Sequence, residues 1–282
     1  MAKLLYVVHR YYPFPGGSEY NVQSMAEESL SRGHTVAVLA GEHKGDQNGV
    51  IVTSDANILM QQWDLIIVHG ADVAVQNFVL SNAKVIPNPI LYIIVLPSGS
   101  PTSLKALEDC KYVGWCTPED YAYVQKHNVL HKSVNIRYGL RYNNSMGKSG
   151  FKNKYNIQGT MFLSCGGYWP NKAMKELAKI FENANIPDAV LVTTGYDNRH
   201  NLMPERSNKV IPLLIDDKAE VMSAISEADC YVMHSFIEGF GLVLLESMLN
   251  ETPWIARYGS GAALLHNWGK TYTTDQQLVD SN

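Results

Sequence analysis

Two glutamates, Glu238 and Glu246, stand eight positions apart in the stretch DCYVMHSFIEGFGLVLLESMLNETPWIA, residues 229–256. An apolar run closes at His234 and Ser235. A loop holding Gly239, Phe240 and Gly241 follows, and an apolar helical pattern starts around Gly241 or Leu242. This reading puts Glu238 in a loop at the edge of a sheet and Glu246 on the second turn of the next helix. Glycines there let the backbone come close to a ligand, and the first amides of a helix accept a phosphate. A carboxylate inside such a helix can chelate a ribose diol. Glutamates are common, and the spacing by itself fits a capped surface helix with solvated acids equally well. The order of strand, glycine loop, apolar helix, Thr252-Pro253 and next strand carries the weight.

Other residues could join that chemistry. Lys172 follows the strand-like run TMFLSCGG at an expected helix start, where a lysine beside unsatisfied amides suits a diphosphate and is equally an ordinary solvated first-turn residue. Gly195 closes the run AVLVTTG at a second strand end. Near the N-terminus, PFPGG brings Gly16 and Gly17 to a turn before a helix, and Glu19 in its first turn suits the helix dipole. His69 ends WDLIIVHG and is a candidate catalytic side chain, although a lone histidine at a strand end is more often structural.

Such residues need strand ends to hold them. LLYVV, TVAVLA, WDLIIVHG, ILYIIVLP, KYVGWCT and VNIRYG read as strands in the first half, with EYNVQSMAEESLSRG as an amphipathic helix. Residues 142–157 are polar, basic and rich in Gly and Asn, and read as a linker. The pattern then restarts: strands TMFLSCGG, AVLVTTG, DCYVMHS and TPWIAR alternate with helices over 171–185, 218–228 and 241–250. The strands are almost continuously apolar, as in parallel sheets covered by helices on both faces. The expected class is α/β, with doubly wound domains over 1–141 and 158–282 and ligands at the carboxyl ends of the strands.

The ensemble around Glu238 and Glu246 resembles the E-x7-E signature of the retaining glycosyltransferases of the GT-B fold, family four. The resemblance implies two Rossmann-like domains facing a cleft that holds a nucleotide-diphosphate sugar. It implies that Glu238 lies by the donor sugar as the catalytic glutamate, and that Glu246 holds the ribose. Gly16, Gly17, Lys172, Gly195, Gly239, Phe240, Gly241 and Leu242 would line the donor. The family's Gly-Arg-loop-Lys pattern falls on SCGGYWPNKA, so Lys172 fits and Gly167 stands where the arginine is expected. Arg199, Arg206 and linker residues are possible substitutes. The family's histidine follows a strand like ILYIIVL, where this chain has Pro97-Ser98-Gly99-Ser100, leaving His69 as the nearest alternative. The resemblance also implies front-face substitution without a protein nucleophile, no metal and no cofactor beyond the donor. Members normally continue with further helices past the region of TYTTDQQLVD, so the second domain is short for the family.

Composition narrows the partners. Hydrophobic residues make up 46% and charged residues 18%, a globular balance. The longest apolar run, Ile90–Leu96, is too short to cross a bilayer, no secretory signal is apparent, and four scattered cysteines fit a reducing cytoplasm, that of a host if the protein is viral. From Tyr121 through Lys175 there are nine Lys and Arg and no acid, leaving 14 basic against 27 acidic residues elsewhere. That asymmetry fits a phosphate-bearing partner as well as a solvated basic face. The acceptor expected first is a saccharide, a lipid-linked sugar or a small molecule. The alternatives are hydroxymethylcytosine in DNA, as for some phage GT-B enzymes, and a degenerate domain that binds nucleotide-sugar without transfer.

Overall fold

The apolar runs become strands buried on both sides. The computed structural model describes residues 1–70, 74–95, 101–141, 146–198 and 200–280, the side chains of Pro101 and Ser260 excepted. The chain divides into two units, Met1–Gly139 and Leu140–Asn282.

The first unit contains β1 (Lys3–Arg10), α1 (Gly17–Ser31), β2 (Thr35–Glu42), β3 (Ile51–Thr53), β4 (Leu65–His69), α2 (Ala74–Ser81), β5 (Ile90–Ile93), α3 (Pro101–Asp109), β6 (Tyr112–Trp115), α4 (Pro118–Lys126) and β7 (Ser133–Asn135). Its strands form a seven-stranded parallel sheet in the order β3-β2-β1-β4-β5-β6-β7. The strand period of two sends Leu5 and Val7 into one core with Leu39, Ile66 and Leu80, and Tyr6 and Val8 into the opposite core with Val22, Ala26 and Val38. Two cores on one strand explain why these runs do not alternate with polar residues.

The second unit contains α5 (Phe151–Lys154), β8 (Thr160–Cys165), α6 (Met174–Ala184), β9 (Ala189–Gly195), β10 (Val210–Leu214), α7 (Lys218–Glu227), β11 (Cys230–Met233), α8 (Leu242–Leu249), β12 (Trp254–Arg257), α9 (Ser260–Leu265), β13 (Lys270–Tyr272) and α10 (Asp275–Val279). Its six-stranded parallel sheet runs β10-β9-β8-β11-β12-β13. Met161 and Leu163 of β8 face one core with Met222 and Leu244, while Phe162 faces another with Leu177 and Phe181. The chain winds outward from β8 to β10 and returns to the other side of β8 at β11. The winding therefore reverses between β8 and β11, and the carboxyl ends of the strands at such a reversal are where these sheets take ligands.

Three features differ from the sequence reading. The short strands β3, β10 and β13 extend the sheets beyond the runs identified there. The helix expected over 171–185 is split: Pro170–Lys172 make a 3₁₀ turn, Ala173 takes a left-handed φ of 51°, and α6 begins only at Met174. Residues 146–157 of the stretch read as a linker pack on the second unit. Phe151 and Ile157 enter its core, the Gly147 amide donates to Asn250 Oδ1 at 2.7 Å, and the Gly150 and Lys152 amides donate to the Glu227 carboxylate.

Candidate donor-binding site

The edge of β8 and β11 gathers the charged residues of the second unit. After β8 the Gly166 amide bonds the Thr194 carbonyl at 3.0 Å and the chain enters a loop seated by Tyr168. The Tyr168 ring is buried, and its hydroxyl lies 2.9 Å from the carbonyls of both Thr193 and Leu213. Burial pushes this phenol up to about 12, so it stays a neutral donor. Gly195 is buried beneath it, and a Cβ there would lie 2.6 Å from the Tyr168 ring and 2.9 Å from the Gly166 carbonyl oxygen. Gly195 thus makes room for the loop.

That loop leads to the 3₁₀ turn and Lys172. The Phe236 amide donates to the Asn171 carbonyl at 2.8 Å, and Asn171 Nδ2 donates to the Ile237 carbonyl at 3.0 Å. These two bonds tie the loop after β8 to the loop after β11. Lys172 Nζ consequently sits 2.5 Å from Glu238 Oε1, with both side chains largely buried. Lys172 therefore belongs to a turn before α6, outside the helix's first turn, because the left-handed Ala173 separates the two.

Loop 236–241 then turns into α8. Gly241 has a φ of +85°, a conformation a side chain resists, and a Cβ there would lie 3.0 Å from Met233 Sδ. Phe240 is buried, and its carbonyl accepts the Gly261 amide at 3.0 Å; Gly239 beside it is half-buried. Leu242 opens α8, and among the described residues no side chain caps that helix. Glu246 lies one turn on, its side chain 8% exposed and ion-paired with Lys218, the first residue of α7. Cys165, at the end of β8, feels charges from both pairs. Its thiol is pushed up to about 12 by burial and by the Glu246 carboxylate, with Lys218 and Lys172 pulling the other way. Glu238, Glu246, Lys172 and Lys218 thus surround one strand end.

On the far side of loop 236–241, His234 is buried against Tyr272 and Arg257. Its Nδ1 is 2.6 Å from the Tyr272 hydroxyl, and burial followed by the Arg257 charge lowers it to about 4. Arg257 lies over the Phe236 ring at 4.9 Å and bonds Asp275 at 3.1 Å.

The candidates of the first unit lie at the start of α1 and the end of β4. Gly16 and Gly17 start α1; a Cβ on Gly16 would meet Glu19 Oε2 at 2.1 Å, whereas one on Gly17 would meet open space. Glu19 is buried and ion-paired with Arg10 at 2.9 Å; desolvation raises its carboxyl against the pull of Arg10. His69 is buried at the end of β4. Its Nε2 is 2.9 Å from Asn21 Nδ2 and 3.2 Å from the Tyr138 hydroxyl, and burial lowers it to about 4. It is a neutral interior histidine. The segment Pro97-Ser98-Gly99-Ser100 and Arg199 lie outside the described residues, and Arg206 is exposed ahead of β10.

Part of the acid-free stretch is engaged by distant partners. Lys152 pairs with Asp229 at 2.8 Å, Lys154 with Glu220, and Lys172 with Glu238, while Lys132 Nζ caps the Glu108 and Cys110 carbonyls at 2.9 Å. Among the described residues no group of three or more His, Cys, Asp and Glu gathers as metal ligands would, and no helix is long and apolar enough to cross a membrane.

Residues 147–273 match the family model of the Glycosyl transferases group 1. The second unit carries a group 1 glycosyl transferase domain. The match spans β8 through β13 and so includes Lys172, Lys218, Glu238 and Glu246. UDP-Gal:alpha-D-GlcNAc-diphosphoundecaprenol alpha-1,3-galactosyltransferase of Escherichia coli is 27% identical over 152 residues, a match covering 50% of this chain and 38% of that enzyme. HepE of Anabaena, solved with UDP and glucose, is similar at 16% identity over 100% of this chain and 89% of that one, with a TM-score of 0.74. Sucrose-phosphate synthase of Thermosynechococcus elongatus gives 16% identity, 99% and 88% coverage and a TM-score of 0.75. The fold that joins the group 1 domain to the first unit is GT-B.

Sequence reasoning missed Lys218 in the group 1 domain. The signal was the helix start: Asp217, three positions past the Pro-containing run VIPLL, caps the Ala219 amide at 3.0 Å. It marks a strand end and helix start like the others.

Proposed function

We propose that this chain transfers a glycosyl group from a nucleoside-diphosphate sugar to a hydroxyl of a saccharide, lipid-linked sugar or small-molecule acceptor, with retention and without a metal ion. The observation that carries the reading is the gathering of Lys172, Glu238, Lys218 and Glu246 around the end of β8 within the group 1 domain. Glu246 is suited to chelate the ribose diol, and Glu238 to orient the sugar hydroxyls. Lys172 supports the diphosphate as its bond to the anomeric carbon breaks. The acceptor oxygen bonds that carbon on the face the diphosphate leaves, and the acceptor's proton passes to a phosphate oxygen of the leaving group. A cation placed where leaving-group charge develops lowers such a barrier by about 3 kcal/mol. UDP-linked hexoses are the donors to try first, since the E. coli relative's name specifies UDP-Gal and the HepE structure holds UDP and glucose.

A saccharide acceptor is preferred over DNA because Lys152, Lys154 and Lys172 of the acid-free stretch are engaged in ion pairs. The test is a panel of UDP-sugars incubated with saccharide acceptors and, separately, with hydroxymethylated DNA. UDP release should be followed with and without EDTA, and product anomers assigned by NMR. Acceptor-dependent UDP release supports transfer. UDP binding with neither transfer nor hydrolysis would replace it with a binding protein, and the absence of any nucleotide binding would overturn the site.

A further inference from the structure

The loop after β8 is built around an aromatic ring at the point where a second cation could stand. A Cβ on Gly167 would lie 1.8 Å from Trp169 Nε1, and that indole is held by the Tyr196 hydroxyl at 3.3 Å and the His200 ring at 4.9 Å. Trp169 fills the space, so within this loop Lys172 is the cation that faces the site. A nucleoside diphosphate brings roughly two or more negative charges, and one lysine balances them poorly.

Lys218 reaches the same strand end from α7. It pairs with Glu246, and the Cys165 thiol is influenced by Glu246, Lys218 and Lys172 together. Glu246 is 8% exposed and Lys218 23%. A carboxylate that buried needs a counter-ion, and Lys218 supplies it to Glu246. When a ribose diol donates its two hydroxyls to that carboxylate, the lysine's partner is satisfied by neutral donors, and its flexible four-carbon stem can swing to a nearby anion. Building on the donor reading above, we infer that Lys218 is the second diphosphate-binding cation of this site, exchanged from Glu246 to the phosphates when a nucleotide binds.

Calorimetric titration of UDP and uridine into wild-type protein, Lys218→Gln and Lys218→Arg tests this. Lys218→Gln weakens UDP about tenfold, the size of one charge-assisted hydrogen bond, and uridine by about twofold at most. Lys218→Arg restores most of the UDP affinity, and the salt dependence of UDP binding is shallower in Lys218→Gln. Equal weakening of UDP and uridine would overturn the inference, because Lys218 would then act only through Glu246. Unchanged UDP affinity would overturn it as well. In both cases the donor reading survives, whereas wild-type protein that binds no nucleoside diphosphate would sink both. Should Lys218→Gln not fold, the neutral pair Lys218→Gln, Glu246→Gln carries the test: its preference for UDP over uridine falls about tenfold below that of Glu246→Gln.

Discussion

Replacing Gly195 by alanine probes the seat of the whole loop that carries Lys172. The added Cβ would lie 2.6 Å from the Tyr168 ring and 2.9 Å from the Gly166 carbonyl oxygen. Ordinary carbon contacts need about 3.5–4.0 Å, so one of these groups must give by about 1 Å. The backbone oxygen has little freedom, because the Gly166 amide is bound to Thr194. The ring has little either, because its hydroxyl lies 2.9 Å from two carbonyls. Overpacking of this kind costs about 1–3 kcal/mol, and loss of the buried hydroxyl's hydrogen bond adds about 1 kcal/mol. For a unit of this size each kcal/mol shifts the melting temperature by about 3 °C, so Gly195→Ala lowers it by about 6–12 °C. Displacing the loop also pulls Lys172 from Glu238 and weakens UDP binding. The assay is thermal unfolding of Gly195→Ala, Tyr168→Leu and the double variant. The double variant should lose less than the sum of the single losses, because removing the ring removes the clash. A melting shift under about 1 °C, or strictly additive losses, would refute the steric reasoning.

The remaining expectations concern the charges. Glu246→Ala weakens UDP about 30-fold and removes discrimination between UDP and its 2′,3′-dideoxy analogue, read by calorimetry; retained discrimination would count against ribose chelation. Glu238→Ala lowers kcat more than it raises the dissociation constant of a UDP-sugar, and equal effects on both would argue for a pure binding role. His69 falls from 6.5 to about 4 on folding. The unfolded chain therefore binds the extra proton between those values, and stability present above pH 6.5 is lost as pH falls toward 4. The slope reaches about 1.4 kcal/mol per pH unit, and urea unfolding of His69→Asn across that range should show a shallower decline.

Much of this architecture is local and therefore legible. The two-sided apolar runs announce parallel strands, and the restart after residue 157 announces a second sheet, because periodicity is written within a few residues. The start of α8 at Leu242 could be read from Gly239, Phe240 and Gly241, and its first turns place Glu246. Short strands escaped: β10 carries Pro212, and β3 and β13 are three residues each, too brief for a period to emerge.

What the sequence by itself determined, then, is the pair of parallel sheets and the loop and helix that carry Glu238 and Glu246. Tertiary structure alone decided their partners. Lys172 meets Glu238 across 66 positions and Lys218 meets Glu246 across 28, because the crossover order sets β8 beside β11 and brings α7 toward α8. The same long-range packing neutralises Lys152 and Lys154 with Asp229 and Glu220, so a run that looks uniformly basic in one dimension is less so in three. It also closes His69 behind Asn21 and Tyr138, turning a strand-end histidine into an interior one. Charge pairing and desolvation depend on which segments meet in space, and no local pattern encodes that.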